Sequence, residues 1–255
     1  MKLASVTPLV LTWNEAPNIE RVLERLTWAA HVVVVDSGST DETKNICEKF
    51  DNVSVTTRPF DCHSKQWNFG CDLVTTPWVL GLDADFVVPI ELPAEIESIS
   101  ESTNRNGFRA RFRYLIDGKP LRGALYPPRT VLFRNESCSY IQDGHTQLLK
   151  GDVPCGDLTA IIDHDDRKPL KRWLVSQQKY AALEAEKLTH ISAAEVGLAD
   201  RLRLMLWLAP PVTLLYTLLI KLTILDGWKG IFYSFQRTYA EMLLSLELLD
   251  RKVNK

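Results

Sequence analysis

The stretch that decides the fold is Val-Val-Val-Val-Asp-Ser-Gly-Ser-Thr-Asp-Glu-Thr, residues 32–43. Four consecutive β-branched residues predict a strand that is buried on both faces, as in a parallel sheet covered by helices. The run ends at Asp36, so this carboxylate lies at the carboxyl end of a strand. Gly38 permits a tight turn, and Ser39 with Glu42 forms a capping-box pattern that predicts the start of a helix. Because open α/β sheets bind ligands along this edge, we expect the turn to hold a nucleotide.

The sequence before this stretch predicts a β-loop-α unit. Residues 5–13 are a strand candidate, and the turn at 14–17 leads into a helix with apolar residues spaced along one face. Those residues are Ile19, Val22, Leu23 and Leu26. Neither GxGxxG nor GxxxxGK[ST] is present, so the strongest sequence marks of dinucleotide-binding and P-loop proteins are missing. Since Asn14-Glu15 stands where a cleavage site would be needed, we interpret residues 1–13 as a strand and not as a signal peptide.

A second strand candidate also ends in acids. Residues 78–82 are apolar and are followed by Asp83-Ala84-Asp85. Acidic residues on either side of one small residue can offer oxygen ligands to Mg²⁺ or Mn²⁺, which in turn neutralises a diphosphate. An ordinary strand exit would give the same pattern. With a second acid at Asp36 and no phosphate-binding glycine loop, we favour the metal.

Charge is divided unevenly along the 255 residues. Residues 1–166 contain 16 Lys/Arg and 24 Asp/Glu, whereas residues 167–255 contain 14 and 8. A basic, leucine-rich C-terminal part predicts an anionic partner surface, and its apolar character favours a membrane over nucleic acid. The five cysteines include no CxxC pair, which argues against a disulfide framework or zinc ribbon and is typical of reducing cytosol.

Taken in order, these motifs resemble family 2 glycosyltransferases of the GT-A fold. They are Asn14-Glu15, the segment 35–43, Lys65-Gln66-Trp67-Asn68 and Leu82-Asp83-Ala84-Asp85. Within that family the chain is most similar to the bacterial branch of lipopolysaccharide-core β-glycosyltransferases. The resemblance covers roughly residues 4–250 and is strongest over 4–86. It implies an α/β fold, a Rossmann-like mixed sheet flanked by helices, and a hexosyltransferase activity.

The resemblance also implies where the nucleotide-sugar donor binds. Asn14, Glu15 and Asp36 would lie against the nucleotide base and ribose. Asp85 would bind the divalent metal, Mg²⁺ or Mn²⁺, through which the diphosphate is held, and Asp83 would lie near the ribose or donor sugar.

Further donor contacts are implied on the helix that follows. Lys65, Gln66 and Asn68 would lie beside the donor, and a solvated helix face is the alternative interpretation. His164 resembles the position at which such folds bring a histidine back towards the metal or diphosphate. A structural hydrogen-bond partner of the neighbouring acids is the alternative for His164.

The middle of the chain predicts the acceptor side. Residues 108–114 alternate apolar residues with arginines, which indicates a half-exposed strand, and residues 129–134 predict a returning strand. The arginines either keep one face soluble or meet an anionic acceptor in the cleft.

A base is needed if the acceptor is a hydroxyl, because a carboxylate must remove its proton during an inverting transfer. Related enzymes carry an acid beside a histidine here, often His-Glu. This chain has His145-Thr146-Gln147, so Asp143 is the best candidate for the catalytic base. An Asp-Gly turn with a hydrogen-bonded histidine is an equal alternative. An acceptor that is already anionic, such as a polyprenyl phosphate, would need no base.

Residues 204–225 are mostly apolar and long enough for a membrane span. Pro210-Pro211 should break a straight helix, and the basic and aromatic residues around the segment are typical of interface anchors. We therefore favour helices lying in the cytoplasmic leaflet, or a shallow re-entrant hairpin, over a true span. The alternative is a buried helix pair on the catalytic domain. Residues 226–230 resemble a DGxxG segment of the same family branch.

The sequence thus predicts a GT-A catalytic domain over 1–166, with donor binding in 1–86 and the acceptor side in 87–166. Residues 167–255 would form a helical, membrane-associating region. The leading hypothesis is a metal-dependent inverting transfer from a nucleotide-diphosphate donor, a UDP-sugar, to a membrane glycolipid such as lipopolysaccharide core or a lipid-linked oligosaccharide. It places the protein on the cytoplasmic face of a bacterial inner membrane, peripheral or monotopic, without a nucleic-acid partner.

Three other functions stay open. A polyprenyl-phosphate glycosyltransferase keeps the enzyme class and changes the acceptor. A sugar nucleotidyltransferase also uses carboxylates and Mg²⁺, but such enzymes usually open with a glycine-rich loop after the first strand. A non-catalytic, membrane-bound GT-A-like scaffold would keep the fold without the chemistry.

Overall fold

The computed structural model describes residues 1–137, 139–144, 146–150, 154–191 and 196–254. The chain divides into two compact units. The first unit comprises Met1–Asp117, Tyr126–Gln142 and Gln147–Arg167; the second comprises Gly118–Leu125, Asp143–Thr146 and Lys168–Lys255. The division after Arg167 lies one residue beyond the boundary expected from sequence. Two short segments expected in the catalytic domain, 118–125 and 143–146, belong to the second unit.

The strands of the chain alternate with helices at first and then follow one another more directly. In chain order up to residue 164 the elements are β1 (Val6–Thr12), α1 (Ile19–Glu24), β2 (Val32–Asp36), α2 (Thr43–Cys47), β3 (Val53–Thr57), α3 (His63–Leu73), β4 (Trp78–Asp83), β5 (Phe86–Val87), α4 (Leu92–Ser98), β6 (Gly107–Ile116), β7 (Lys119–Pro120), β8 (Arg129–Arg134), β9 (Ser139–Asp143), β10 (Thr146–Lys150) and β11 (Cys155–His164).

The first unit is built on a mixed sheet with the strand order β3-β2-β1-β4-β8-β6-β11-β5. The neighbouring pairs β3/β2, β2/β1 and β1/β4 are parallel. β8 is antiparallel to both β4 and β6. Because β6 and β4 are both reversed relative to β8, they run in the same direction, and so does β11, which is parallel to β6. The carboxyl ends of β1, β2, β4, β6 and β11 therefore meet at one edge of the sheet.

The prediction that β2 is buried on both faces is confirmed. All five of its residues are buried. Val32 and Val34 belong to one apolar cluster with the α1 side chains, whereas Val33 and Val35 belong to another with Trp67 of α3. Burial on both faces is what selects an unbroken run of β-branched residues, since no position of the strand faces water.

The capping box predicted after β2 is wrong. Helix α2 begins at Thr43, and neither Ser39 nor Glu42 caps it through its side chain. The Ser39 hydroxyl instead donates to Asp36 Oδ1, and Asp41 Oδ1 accepts the N–H of Thr43 at 3.0 Å. A buried carboxylate competes better for the serine hydroxyl than a helix N–H does, because the hydrogen bond to a charged group is stronger.

The arginines of β6 lie on its exposed face, as the alternation predicts. Arg109 pairs with Asp157 and Arg113 with Asp163, both on β11, at 2.9 and 2.7 Å. This arrangement favours the interpretation that they keep one face soluble. Among the described cysteines, Cys47, Cys62, Cys71 and Cys155 are not in disulfide bonds.

The second unit is mainly helical. It contains α5 (Leu170–His190), α6 (Leu198–Leu204), α7 (Ala209–Leu215) and α8 (Trp228–Val253), together with 3-10 turns at Leu206–Leu208 and Thr223–Asp226 and a π-helical turn at Tyr216–Ile220. α5 and α8 share an apolar cluster that includes Ala185 and Leu248.

The apolar segment 204–225 is interrupted, but not at the prolines, where the sequence predicted the break. The bend lies between Leu204 and Leu206, and Leu206 has a left-handed backbone with φ 56°. Pro210 and Pro211 lie in the first turn of α7, within the helical run Leu206–Ile220, where the missing N–H groups cost little. Within the described part of the chain, no one helix has the length and apolar character to cross a membrane. One pair, Leu198–Leu204 with Leu206–Ile220, meets both requirements together and is bent by 109°.

Candidate active site

Asp36 shapes the turn that follows β2. The residue is fully buried, and its Oδ2 accepts the N–H groups of Gly38 and Ser39 at 2.9 Å each. Thr12 donates to Oδ1 at 3.2 Å, and Lys44 Nζ lies 3.6 Å from Oδ2. Burial alone would raise the pKa of Asp36, but the hydrogen bonds from Ser39 and Gly38 and the charge of Lys44 outweigh it, so this pKa lies below its ordinary value. The carboxylate is therefore ionised at neutral pH.

The loop after β1 is tied to this turn. Asn14 adopts a left-handed backbone with φ 53°, a conformation that asparagine tolerates. Its N–H donates to Ser39 Oγ and its Oδ1 accepts the N–H of Thr40, each at 2.7 Å. The N–H of Glu15 donates to Thr43 Oγ1 at 2.7 Å. Asn14, Glu15 and Asp36, three predicted donor-binding residues, are thus brought together at one edge of the sheet.

Asp83 ends β4 at the same edge, and Asp85 follows the strand. Desolvation and the neighbouring charge of Asp85 raise the pKa of Asp83, while Arg129, His63 and His164 oppose the rise. Asp85 is buried, and its backbone carbonyl accepts the N–H of Asp165 at 3.1 Å.

β5 explains why His164 reaches this pair. It is antiparallel to β11, with Phe86 opposite His164 in the register. His164 Nε2 lies 3.5 Å from Asp85 Oδ2. The predicted metal residues, Asp85 and His164, are therefore adjacent.

Aromatic rings surround His164. The ring centroids of Tyr114, Tyr126 and Phe86 lie 4.7, 4.8 and 5.2 Å from that of His164. Burial, and next the charge of Asp83, raise the pKa of Tyr126 well above its ordinary value. Tyr126 therefore keeps its proton at physiological pH and cannot serve as a base.

The predicted residues of α3 have different surroundings. Lys65 is largely exposed and pairs with Asp61 at 3.5 Å, which fits the solvated-face alternative. Gln66 is fully buried, and its Nε2 donates to Ser37 Oγ at 3.0 Å. Asn68 exchanges two hydrogen bonds with the backbone of Tyr140, at 2.9 and 2.7 Å. Gln66 thus supports the turn after Asp36, and Asn68 holds β9.

Asp143, the candidate base, lies in the second unit at the end of β9. Lys187 Nζ on α5 lies 2.7 Å from its Oδ1. Burial acts to lower the pKa of Lys187, but the hydrogen bond with Asp143 and the charges of Glu184 and Asp200 outweigh it and raise that pKa. The neighbouring His145 lies outside the described residues.

The turn at Asp143 is closely packed on α5. Gly144 has φ +55°, and a Cβ added there would lie 2.6 Å from Glu184 Oε2. A side chain at position 144 would have to displace the Glu184 carboxylate, and the positive φ disfavours any residue other than glycine. Within the second unit, Gly144 and Lys187 together fix the position of Asp143 against α5.

Residues 9–122 match the family model described as glycosyl transferase family 2. Over these residues, somewhat less than half of the chain, the protein is similar to family 2 glycosyltransferases. An uncharacterised glycosyltransferase of Rickettsia bellii is 33% identical over 141 residues, which are 53% of this chain and 48% of the relative. The lipopolysaccharide core biosynthesis glycosyltransferase LpsC of Rhizobium meliloti is 26% identical over 199 residues, 71% of each chain. The match spans about half the length of the Rickettsia relatives.

A solved structure supports the fold. The crystal structure of Staphylococcus aureus TarS residues 1–349 in complex with UDP-GlcNAc aligns with a TM-score of 0.50 and 14% identity, covering 100% of this chain and 93% of that chain. The fold is therefore mixed α/β and GT-A-like, as the sequence predicted.

The GT-A family implies a divalent cation, and the acidic edge fits one that is held in part by substrate. Within the described ranges, no group of three or more His, Cys, Asp or Glu side chains forms a metal site by itself. Mg²⁺ at nucleotides is usually held by one or two carboxylates, phosphate oxygens and water, so a smaller set suffices. Asp85 suits that role better than His164, because His164 Nδ1 is buried without a hydrogen-bond partner in the part of the chain described, and a ligating histidine is normally oriented through its second nitrogen.

Sequence reasoning missed a polar cluster that joins the first turns of α1 to the residues after β11. Asn18 is fully buried; its Nδ2 donates to Glu15 Oε2 at 2.9 Å and its Oδ1 accepts the N–H of Arg167 at 2.9 Å. Arg21 donates to the buried Asp165 at 2.6 Å. The acids after β11 were visible in the sequence, but their partners follow β1 and only the folded sheet brings them together.

Proposed function

We propose that this protein is an inverting, metal-dependent glycosyltransferase that moves a sugar from a nucleotide-diphosphate donor, a UDP-sugar, to a membrane glycolipid. The observation that carries the proposal is the acidic edge of the sheet, where Asp36 and Asp83 end two strands that are parallel to β1 and Asp85 follows the second, within the region similar to family 2 glycosyltransferases. Lipopolysaccharide core or a lipid-linked oligosaccharide is the acceptor class, which the similarity to LpsC supports.

The chemistry follows from what each part of the edge offers. The Asp36 turn and the loop at Asn14 and Glu15 bind the nucleoside, and Asp83 lies beside the ribose or sugar. Asp85, with His164 adjacent, would hold the divalent cation, which would supply positive charge to the diphosphate leaving group. The acceptor oxygen attacks the anomeric carbon from the face opposite the diphosphate, so the configuration at that carbon inverts.

The first test is a donor panel. Purified protein with Mg²⁺ or Mn²⁺ and a bacterial lipid extract is incubated with UDP-, GDP- and dTDP-sugars, and the released nucleoside diphosphate is measured. We expect release with at least one donor, and a loss of at least about 100-fold in kcat/KM for Asp85→Ala, since the cation contributes several kcal/mol. The exposed Asp51→Ala is the control. No release with any donor, or full activity of Asp85→Ala, would contradict the proposal.

A second candidate keeps the reaction and changes the acceptor to a polyprenyl phosphate. The Asp143–Lys187 ion pair favours it, because a carboxylate held by an ammonium at 2.7 Å must share that contact in order to accept a proton. A phosphate oxygen is already ionised at pH 7 and needs no base.

Asp143→Asn separates the two acceptors. If the acceptor is a hydroxyl, we expect kcat to fall by about 100-fold or more, which is the usual contribution of general-base catalysis. A phosphate acceptor predicts turnover within a few-fold of wild type. Asp157→Asn, which removes an exposed ion-paired carboxylate from β11, controls for the change of charge.

The C-terminal unit supplies the proposed membrane contact. Several large apolar side chains between residues 204 and 225 are exposed, and Trp207 and Trp228 are 76% and 85% exposed. Soluble proteins rarely expose so many neighbouring apolar groups without a partner surface. Helices lying in the cytoplasmic leaflet of a bacterial inner membrane would cover them and bring the enzyme to a lipid acceptor.

A further inference from the structure

Arg129 is a cation of the first unit that the proposed chemistry does not yet use. It begins β8, opposite Ala110 of β6 in the register. Its guanidinium lies over the ring of Tyr126, 4.8 Å from the centroid. In the described part of the chain it forms neither an ion pair nor a side-chain hydrogen bond. Arg109 and Arg113 on β6, by contrast, are paired with acids of β11.

The position of Arg129 relates it to the acidic edge. The Tyr126 ring that it covers also contacts His164 at 4.8 Å, and His164 lies beside Asp85. Arg129 is among the positive charges that act on Asp83. A half-buried guanidinium whose charge acts on Asp83, and which forms no ion pair in the described part of the chain, keeps its N–H groups available for an anion that enters the site.

We infer that Arg129 binds the diphosphate of the nucleotide donor, as a second cation in addition to the metal. The inference rests on the proposed function and adds a binding residue to it. Arginine suits this role because its planar guanidinium stacks on an aromatic ring and offers a bidentate pair of N–H groups to phosphate oxygens. When the bond between the anomeric carbon and the phosphate oxygen breaks, its electron pair stays on the diphosphate, and Arg129 adjoins that charge.

The test measures the binding of UDP, GDP and uridine by calorimetry, with and without Mg²⁺. We expect Arg129→Gln to raise the Kd of UDP at least tenfold and to leave that of uridine within twofold, because the guanidinium acts on phosphate and not on the nucleoside. Arg129→Lys should lose less affinity than Arg129→Gln. Arg111→Gln is the matched control, since Arg111 lies on the face of β6 opposite Phe112, which contacts Tyr126.

A second measurement uses the wild-type protein and does not depend on the folding of a variant. Phenylglyoxal modifies accessible arginines, and peptide mass mapping locates them. We expect UDP, but not uridine, to protect Arg129, and neither to protect Arg111.

The outcomes separate this inference from the proposed function. If the wild type binds UDP while Arg129→Gln binds it equally well, or if Arg129 is modified equally with and without UDP, the inference is wrong and the proposed function stands. Equal losses of UDP and uridine binding in Arg129→Gln would assign Arg129 a structural role and also overturn the inference. If the wild type binds neither UDP nor GDP, both fall.

Discussion

Asp36 stabilises the fold, and this contribution to the free energy of unfolding can be measured without a ligand. It is fully buried, accepts hydrogen bonds from two backbone N–H groups and two hydroxyls, and lies near Lys44. Each hydrogen bond to a charged group contributes about 1.5–3 kcal/mol. An amide at this position can accept through one oxygen only, so part of this set is lost even if the turn keeps its shape.

We expect Asp36→Asn to lower the free energy of unfolding by about 2 kcal/mol at pH 7, from the loss of charge-assisted hydrogen bonds. The pKa of Asp36 is lowered in the folded state, so its stabilisation is fully present above the unfolded pKa of about 3.9 and is lost as pH falls through the lower folded pKa. The difference between wild type and variant in urea unfolding should therefore shrink below about pH 4. Asp51→Asn, at an exposed carboxylate, should show little effect at either pH.

The sequence predicted the residues of the edge that depend on strand direction alone. Asp36 and Asp83 end strands on either side of β1, and parallel neighbours bring their ends together. Arg129 was not predicted as a site residue, because it begins a strand whose direction is reversed, and only the register with β6 places it by Tyr126. The burial of Gln66 could not be predicted either, since a polar residue on a short helix normally faces solvent.

At the scale of elements, the start of α8 depends on two glycines. Gly227 has φ 65° and ψ −145°, a conformation that is essentially restricted to glycine. Gly230 lies so close to the preceding turn that an added Cβ would be 1.8 Å from the carbonyl oxygen of Thr223. The similarity of residues 226–230 to a DGxxG segment thus has a physical basis in backbone conformation and close packing.

Gly230→Ala should lower the free energy of unfolding by about 3 kcal/mol, because the methyl group meets backbone that must move. Gly197→Ala is the matched control: Gly197 has φ −70°, and its nearest atom to an added Cβ is Asp200 Oδ2 at 3.8 Å. This control should stay within about 0.5 kcal/mol of wild type. Thermal unfolding followed by circular dichroism measures both, and equal stability of the two variants would contradict the assigned contact.

Sequence patterns predict only some of the backbone features of these elements. The two prolines predicted an interruption of the 204–225 segment, but the bend lies before them, at the left-handed Leu206. The same pattern could not predict the π-helical turn at Tyr216–Ile220 or the left-handed Leu222. Those features depend on buried hydroxyls such as Thr223, which donates to the carbonyl of Thr217 at 2.8 Å.

At the scale of the whole molecule, charge and apolar surface point to the same partner. Residues 167–255 carry 14 Lys/Arg against 8 Asp/Glu, and the same region exposes Trp207 and Trp228. Basic groups are attracted to anionic lipid headgroups by about 1 kcal/mol each near the surface, and exposed aromatic rings gain by entering the interface. The two effects respond differently to salt, because screening weakens only the first.

We expect the protein to sediment with vesicles that contain phosphatidylglycerol, less with pure phosphatidylcholine, and less again at high salt. The double variant Trp207→Ser/Trp228→Ser should bind the anionic vesicles at least tenfold more weakly, since burying each large apolar side chain contributes about 1.5–3 kcal/mol. Ile90→Ser is the matched control, because Ile90 is 74% exposed but lies in the first unit. The membrane contact would be contradicted if the wild type bound neither kind of vesicle. It would also be contradicted if Ile90→Ser lost as much vesicle binding as the double variant. Binding that survives high salt and disappears with the two tryptophans would show that apolar insertion, and not charge, holds the protein to the lipid.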